Sequence, residues 1–309
     1  FTAHAEGSDW LTKASQAVRT SNYRGVLVYL REGQMDTLRI VHRYQDGNER
    51  ERLVSLSGEP REIIRDNGVV TCVLPNKQVV LVARHAMESL LSNVADLVSE
   101  GLEDTYEIKD LGDERLADRA CRVVAVQPKD EYRYGYRLLI DKETNLPLKL
   151  ELMRKTQVLE QMMFTDIEFP EEISDASLQP TFDTSAFRWI RHQAGASTAD
   201  ADEAIQSEWH ATELPTGFRM AEAGWRRIGG GGMARQLLFT DGIATVSAFI
   251  AAAGEKPFIG GTTMGAVNAY GREFANRQIT VVGEVPKATV RFIAEHLEQR
   301  PVSASAKKP

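Results

Sequence analysis

The sequence is poor in the residues that build disulfide frameworks and metal sites. Among 309 residues there are two cysteines and six histidines. Two cysteines allow at most one disulfide, so a disulfide-stapled scaffold is excluded. Cys72 and Cys121 each lie in a strand-like run, where a free cysteine is commonly a small buried hydrophobic residue; a disulfide between them is the alternative. No histidine stands at metal-ligand spacing from a cysteine or a carboxylate, so the sequence predicts no metal site.

Long apolar runs and catalytic signatures are also missing. The run Val79–Ala83 is too short to cross a bilayer, and so is the alanine-rich stretch 243–253, which Thr245 and Ser247 interrupt. There is no Gly-x-Ser-x-Gly nucleophile elbow. The glycine run 229–232 lacks the Gly-Lys-Ser/Thr ending of a phosphate loop and is interpreted as a flexible connection. The sequence therefore predicts no enzyme and no cofactor, and a hydrolase is the weakest interpretation.

Charge is distributed unevenly along the chain. The net charge is −7, with 37 Lys and Arg against 44 Asp and Glu, which argues against general nucleic-acid binding. The acid excess lies almost wholly before residue 181, where 31 acidic residues face 23 basic ones. In the remainder, Arg226, Arg227 and Arg235 flank the glycine run and are predicted to bind an anionic ligand, because arginine forks fit phosphate oxygens. The alternative is a set of ordinary solvated charges.

Period-two alternation dominates the first part of the chain. Val26, Val28 and Leu30 alternate with Gly25, Leu27 and Tyr29, as in half-buried strands. The pair Asn67-Gly68 separates two β-branched runs and signals a tight hairpin. Further strand-like runs cover residues 121–126, 134–140, 146–152 and 162–169. This pattern predicts a long antiparallel sheet with one solvated face.

Two helical stretches interrupt the strands. Residues 9–20 place apolar side chains on one side behind a plausible N-cap at Ser8, and residues 85–102 carry a broad apolar stripe. Because a strongly curved sheet cannot bury its inner face alone, we expect these helices to plug it. Such an arrangement can leave a cavity.

Composition also marks the division into domains. The stretch 194–203 has no residue able to anchor a core and reads as a linker. We therefore predict a first domain over 1–190, a linker over 191–206, a smaller C-terminal domain over 207–302 and a tail over 303–309. Within the smaller domain, a strand ending at Gly283 leads into a helix over 288–297, with Pro286 where a first helical turn tolerates it.

Several segments, taken in order, resemble the RseB/MucB family of periplasmic sigma-E regulators. In the smaller domain these are Thr280–Pro286 with the helix that follows, Trp209–Phe218 and Thr240–Ser247. In the first domain, Asp141–Lys149 is the most specific match, and it is followed by Leu159–Gln161. Arg133–Tyr136 and Glu51–Leu53 add weaker agreement. The resemblance runs from Trp10 to Leu297.

The resemblance implies an α+β fold with two domains. The larger would be a LolA/LolB-like unclosed antiparallel β-barrel with a helical lid, followed by a smaller C-terminal α+β domain. It implies a protein that binds the periplasmic domain of a membrane-embedded anti-sigma factor, shields it from site-1 proteolysis and is released by lipopolysaccharide or acyl chains. The alternative is a periplasmic lipoprotein or lipid carrier of LolA type, against which the C-terminal domain argues. A homo-oligomer is left open.

The N-terminal sequence suggests export, and the family resemblance suggests a lipid site. Ala3-His4-Ala5 resembles the end of a signal peptide and so favours the periplasm. The cavity that the fold implies makes the apolar inner face of the larger domain the expected receptor for lipid or peptide, whereas plain core is the simpler interpretation. The candidate lining residues are Val28, Leu30, Leu38, Ile40, Leu74 and Leu81 on strands, and Met87, Leu90, Leu91 and Val94 on the lid helix.

Overall fold

The chain forms two compact units in a computed structural model. The first unit comprises Phe1–Gln127 and Gly135–Ala194, and the second comprises Pro128–Tyr134 and Gly195–Pro309. The structure describes residues 2–84, 91, 94, 97–98, 101–192, 208–228, 232–254 and 256–300. Most of the predicted linker and lid helix, and the whole predicted tail, lie outside the described residues. In the part of the chain so described, no helix is long and apolar enough to cross a membrane.

The first unit is built on one large sheet. It contains helix α1 (Thr2–Thr20), the short helix α2 (Leu102–Thr105) and two 3₁₀ turns, Pro75–Lys77 and Asp175–Leu178. Its strands are β1 (Tyr23–Arg31), β2 (Gln34–Gln45), β3 (Asn48–Ser55), β4 (Glu62–Asp66), β5 (Val69–Leu74), β6 (Val79–Arg84), β7 (Tyr106–Leu116), β8 (Arg119–Pro128), β9 (Gly135–Asp141), β10 (Pro147–Arg154), β11 (Gln157–Glu168) and β12 (Arg188–His192).

Two meanders make up this sheet. The strand order is β12-β6-β5-β4-β3-β2-β1-β11-β10-β9-β8-β7, so β1–β6 and β7–β11 are each consecutive and meet where β1 pairs with β11. The ends of the sheet are β12 and β7, which leaves it unclosed. The strand β12 differs from the predicted antiparallel sheet, because it pairs in parallel with β6.

Local sequence explains the tight turns between these strands. Asn67 and Gly68 have φ of 47° and 80°, and they join β4 to β5 with Asp66 opposite Val69. Glycine and asparagine adopt this left-handed region at low cost, which is why such pairs favour two-residue hairpins. The predicted Asn-Gly hairpin is therefore confirmed.

The second unit has a smaller sheet covered by a helix. Its strands are β13 (Trp209–Ala211), β14 (Arg219–Arg227), β15 (Met233–Thr240), β16 (Thr245–Ala252), β17 (Gly260–Met264), β18 (Val267–Phe274), β19 (Arg277–Gly283) and β20 (Leu297–Gln299), with helix α3 at Lys287–Glu295. Six of them form a sheet of order β14-β15-β16-β19-β18-β17, while β13 pairs with β20.

Helix α3 closes the core of the second unit. Val290 and Ile293 on the helix pack into one buried cluster with Leu237, Phe239 and Val281 from the strands. The spacing of three residues puts both helical side chains on one face, as the apolar stripe predicted. The helix begins at Lys287 after Pro286 and ends two residues earlier than expected, because Leu297 already belongs to β20.

The predicted fold class is confirmed. An α+β chain places a large unclosed sheet, antiparallel except at β12, ahead of a smaller C-terminal unit with its own sheet and helix.

Candidate functional site

Strand register defines an inner face of the first unit. Gly25 on β1 lies opposite Ile40, which lies opposite Leu53 on β3. Since side chains opposite one another in a ladder point to the same side of a sheet, such a row marks one face. The row continues through Ile63, Cys72 and Leu81 on β4, β5 and β6.

A pocket of about 350 Å³ opens on this inner face at one end of β1 to β4. Leu38, Leu53 and Ile63 supply its apolar surface, and each is less than a tenth exposed. The volume lies in the range typical of small-molecule sites. The polar and charged lining consists of Tyr29, Arg31, Glu32, Gln34, Asp36, Ser55, Arg61 and Arg65.

The charged lining carries one more cation than anion. Arg65 pairs with Glu51, a carboxylate that is only 2% exposed, and Tyr29 donates to Glu160 on β11. Glu160 lies opposite Arg31 in the β1–β11 ladder. Arg61 is exposed and lowers the pKa of the Cys72 thiol, although burial of that thiol outweighs it and raises the pKa overall. An apolar floor beneath arginines suits an amphiphile with an anionic head.

A second cavity, of about 400 Å³, lies beside helix α1. Leu11, Leu97 and Ile108 line it, and Glu103 and Asp104 are its charged residues. It has the opposite electrostatic character to the first pocket, so an anionic ligand would be repelled from it.

The structure does not bring all the predicted lining residues together. Leu38 and Ile40 are on the inner face, but Val28 lies opposite Thr37 and Leu30 opposite Met35. Val28 and Leu30 therefore point to the other side of the sheet. In the ladder between β1 and β2, Leu38 lies opposite Leu27 and not Val28. Since successive side chains of a strand point to opposite faces, Val28 faces away from Leu38.

The remaining predicted lining residues also separate into groups. Leu81 is in the inner-face row, and Leu74, two residues after Cys72, points the same way. Leu91 and Val94 are fully buried. Met87 and Leu90 lie outside the described residues. Of the ten, Leu38 alone lines the 350 Å³ pocket, as far as described residues are concerned.

The three predicted anion-binding arginines are not one cluster. Arg226 bonds Gln236 at 2.9 Å and pairs with Glu222 at 3.2 Å. Arg235 lies opposite Trp225, with its guanidinium 5.9 Å from that ring, and is 3% exposed. Because Arg226 and Arg235 alternate on paired strands, they occupy opposite faces of the sheet, and only Arg226 and Arg227 are available to a solvent-borne anion.

Buried polar groups of the first unit are mostly structural. His42 is 1% exposed, its Nδ1 lies 2.7 Å from the Ser21 carbonyl oxygen, and its ring stacks on Tyr23. Both cysteines are free thiols, and burial raises the pKa of Cys121 to about 11, which makes it unreactive. Over the described residues, no group of His, Cys, Asp or Glu could hold a metal ion.

Sequence reasoning missed most of the pocket. The predicted lining set contains none of Arg31, Arg61, Arg65, Leu53 and Ile63. A signal was present, since the Asn67-Gly68 turn fixes the β4–β5 register and alternation from there places Ile63 and Arg65 on one face.

Comparison with known proteins gives matches over both units. The model of the MucB/RseB N-terminal domain matches residues 6–182, and the model of the MucB/RseB C-terminal domain matches residues 203–298.

Two regulatory proteins and one solved structure are similar to nearly the whole of this chain. The sigma factor AlgU regulatory protein MucB of Pseudomonas aeruginosa is 31% identical over 99% of this chain and 94% of that protein. The sigma-E factor regulatory protein RseB of Haemophilus influenzae is 25% identical over 94% of this chain and 90% of that protein. The solved complex of P. aeruginosa MucA and MucB contains a chain with a TM-score of 0.74 and 27% identity, covering 96% of this chain and 100% of that one.

Proposed function

The chain belongs to the MucB/RseB family, and from this premise we propose that it is a negative regulator of a sigma-E-type envelope-stress response. It binds the periplasmic domain of a membrane-embedded anti-sigma factor and shields that domain from site-1 proteolysis. It acts in the periplasm as a binding protein without catalytic activity. A lipid signal, such as lipopolysaccharide or a free acyl chain, releases it.

One observation supports the identity of the binding partner. A relative similar over 96% of this chain has been solved in complex with MucA, and a further structure holds MucB with MucA(peri). Both family domains are matched here, so the whole two-unit architecture of those relatives is present. This supports an anti-sigma domain as the partner of this chain.

The inner-face pocket supports the lipid signal. An acyl chain would lie against Leu38, Leu53 and Ile63, where each buried methylene contributes about 0.8 kcal/mol. An anionic head group would meet Arg31 and Arg61 at the mouth, with charge-assisted hydrogen bonds to arginine. Burial of a few methylenes is then enough to compete with a modestly bound peptide segment.

A periplasmic lipid or lipoprotein carrier is the second candidate. The pocket alone suits either function. The presence of the C-terminal domain favours regulation, since residues 203–298 match the C-terminal domain model of the MucB/RseB family.

Cleavage of the anti-sigma domain tests the proposal. The full chain is mixed with the periplasmic domain of the anti-sigma factor and with the site-1 protease, with and without lipopolysaccharide. Protection that is lost when lipopolysaccharide is added is the expected result. A chain that binds lipopolysaccharide yet never slows cleavage would favour the carrier.

A rim variant tests the site itself. Arg61→Glu reverses an exposed charge at the pocket mouth, and Arg39→Glu makes the same change on the opposite face of the same sheet, because Arg39 lies opposite Val26 and not Leu27. The lipid concentration that releases the partner should rise several-fold in the first variant only. Equal responses would place the lipid elsewhere. Leu91 is a poorer probe, because it is fully buried and its replacement by Asp would test core stability.

A further inference from the structure

The segment Pro128–Tyr134, called the strap below, belongs to the second unit by its contacts and to the first by its place in the chain. It begins at the last residue of β8 and ends just before β9, and these are neighbouring strands of the large sheet. A hairpin connection normally only reverses the chain and is variable in sequence. Here two of its side chains, Arg133 and Tyr134, are buried, which a simple turn does not require.

Arg133 anchors the strap. Its side chain is 0% exposed, and its Nε donates to Asp241 Oδ2 at 2.7 Å. The same guanidinium pairs with Asp130, donates to the Thr216 carbonyl oxygen and lies 5.1 Å from the Phe218 ring. These four partners all belong to the second unit.

Asp241 is equally fixed. Its side chain is 1% exposed, and Oδ1 accepts from the amides of Ile243 at 3.0 Å and Ala244 at 2.8 Å. One oxygen therefore shapes the turn between β15 and β16, and the other is committed to Arg133. If Arg133 were withdrawn, a carboxylate would remain in the interior without its counter-ion, which is costly.

Two tyrosines extend the docking of the strap. The Tyr134 hydroxyl donates to the Ala266 carbonyl oxygen at 3.0 Å and accepts from Asn268 Nδ2 at 3.0 Å. Asn268 is 3% exposed and also donates to the Val285 carbonyl oxygen at 2.7 Å. The strap thereby reaches β18 and the chain entering helix α3.

Tyr132 contacts helix α3 directly. Its carbonyl oxygen accepts from Thr289 Oγ1 at 2.7 Å, and its ring meets the edge of Phe292 with centroids 5.3 Å apart. Counting the Arg133 contacts, the strap touches the loops at 216–218 and 241–244, strand β18 and the helix that closes the core. These segments are distant in sequence and have the strap in common.

We propose that the strap is a conformational lock of the second unit, with Arg133 as its positioning residue. While the strap is docked, the turn at Asp241, the start of α3 and β18 are held in one arrangement. Because the strap continues directly as β8 and β9, a shift of those strands loosens the second unit without any ligand binding to that unit. A buried ion pair is well suited to this role, since it specifies one geometry more than it adds stability.

Hydrogen exchange of the full chain tests the lock. Arg133→Gln should raise amide exchange at residues 241–250 and 285–296 at least ten-fold, while strands β1 and β2 keep the rates of the unmodified chain. The matched control is Arg52→Gln, which removes the partner of the 1% exposed Glu62 on β3 and β4, away from β8 and β9. It should raise exchange around β3 and β4 and leave the second unit unchanged.

A double-mutant cycle separates the lock from general destabilisation. Asp241→Asn keeps an oxygen for the turn amides but removes the ion pair. The double variant should exchange no more than about three-fold faster than the faster single variant, since both remove the same interaction. Multiplied effects, or unchanged exchange in both single variants, would overturn the proposal.

Tyr134→Phe provides a milder variant in case Arg133→Gln unfolds the chain. It removes one hydroxyl that bonds Ala266 and Asn268, and exchange of β18 should rise a few-fold with both units still folded. If Tyr134→Phe leaves β18 unchanged, or if Arg133→Gln makes both units exchange together, the strap is not a lock confined to the second unit.

Discussion

The two units differ in how their sheets and helices bury apolar side chains. In the second, one helix of nine residues covers a six-stranded sheet and leaves Leu237, Val281 and Ile293 fully buried. In the first, a sheet of twelve strands carries a 350 Å³ pocket lined in part by Leu38 and Leu53. The contrast shows two arrangements of apolar surface, a closed core in the second unit and a core that borders a pocket in the first.

The two units also differ in which parts of the chain their buried ion pairs connect. In the first unit, buried carboxylates are paired with arginines across neighbouring strands, as in Arg52–Glu62 and Arg119–Asp141. These pairs tie strand to strand. In the second unit, the buried pair Arg133–Asp241 ties the strap to a turn. Charge therefore maintains the sheet in one unit and the docking of a segment in the other.

The largest effect is expected from emptying the filled core. Phe239→Ala removes a side chain that is 1% exposed in the second unit, and such truncations cost about 3–5 kcal/mol. Urea unfolding with hydrogen exchange should show the loss in the second unit. A matched control is Leu238→Ala on the same strand, whose half-buried side chain points to the other face. Similar losses for both would contradict a single filled core.

A smaller loss is expected when the pocket is enlarged. Leu53→Ala in the first unit should cost about 2 kcal/mol, near the lower end for such changes, because the side chain already borders open space. Leu237→Ala, the same chemical change at a fully buried position of the second unit, should cost more. The comparison is made by urea unfolding of both variants. Equal costs would mean that the pocket is closed in solution.

Acid should weaken the first unit through Asp141. Burial acts to raise the pKa of this carboxyl, but hydrogen bonds from Arg119 and Thr144 outweigh it and hold the pKa below its ordinary value. The stabilisation is therefore complete above the unfolded pKa of about 3.9 and is lost as pH falls through the folded value. Asp141→Asn should flatten the decline of the free energy of unfolding below about pH 4. An unchanged slope would assign the acid sensitivity to other groups.

The smallest effect is expected at the exposed arginines of the second unit. The double variant Arg226→Gln, Arg227→Gln should keep its stability within about 0.5 kcal/mol, because partly exposed ion pairs contribute little. Arg235 is left in place, since it is buried. If these residues bind an anionic head group, lipopolysaccharide binding should weaken and lose salt dependence. Unchanged binding at low salt would leave the first-unit pocket as the anion site.

The sequence predicted elements better than it predicted faces. Alternation located most strands of the first unit, and the Asn-Gly pair located a hairpin. Alternation alone did not reveal that Leu27, rather than Val28, shares a face with Leu38. The turn between β1 and β2 sets the register of the two strands, and the pattern within each strand does not contain that information. The parallel strand β12 was missed for a related reason. Its pairing with β6 spans about a hundred residues, and no local pattern reports it.

The sequence around Arg235 contains a signal for the burial of this side chain. It precedes Leu237 and Phe239 at the spacing of one strand face, and both are core residues. Period-two reasoning alone would have placed the arginine inward, against the expectation that arginines are exposed. The strap had no comparable signal, since Arg133 and Asp241 are 108 residues apart.

The junction between the two meanders has a consequence for how the first unit is assembled. Within each meander, neighbours in the sheet are neighbours in the chain, whereas β1 and β11 are more than a hundred residues apart, as the pair Arg31 and Glu160 illustrates. Contacts of such separation pay a large loop-closure entropy and slow folding. Every residue that lines the 350 Å³ pocket lies between Tyr29 and Arg65, within the first meander. Pulse-labelled exchange should therefore show protection in β2 to β4 before the β1–β11 pairing. The surface that lines the pocket would then form within the first meander, and the second meander would join it later.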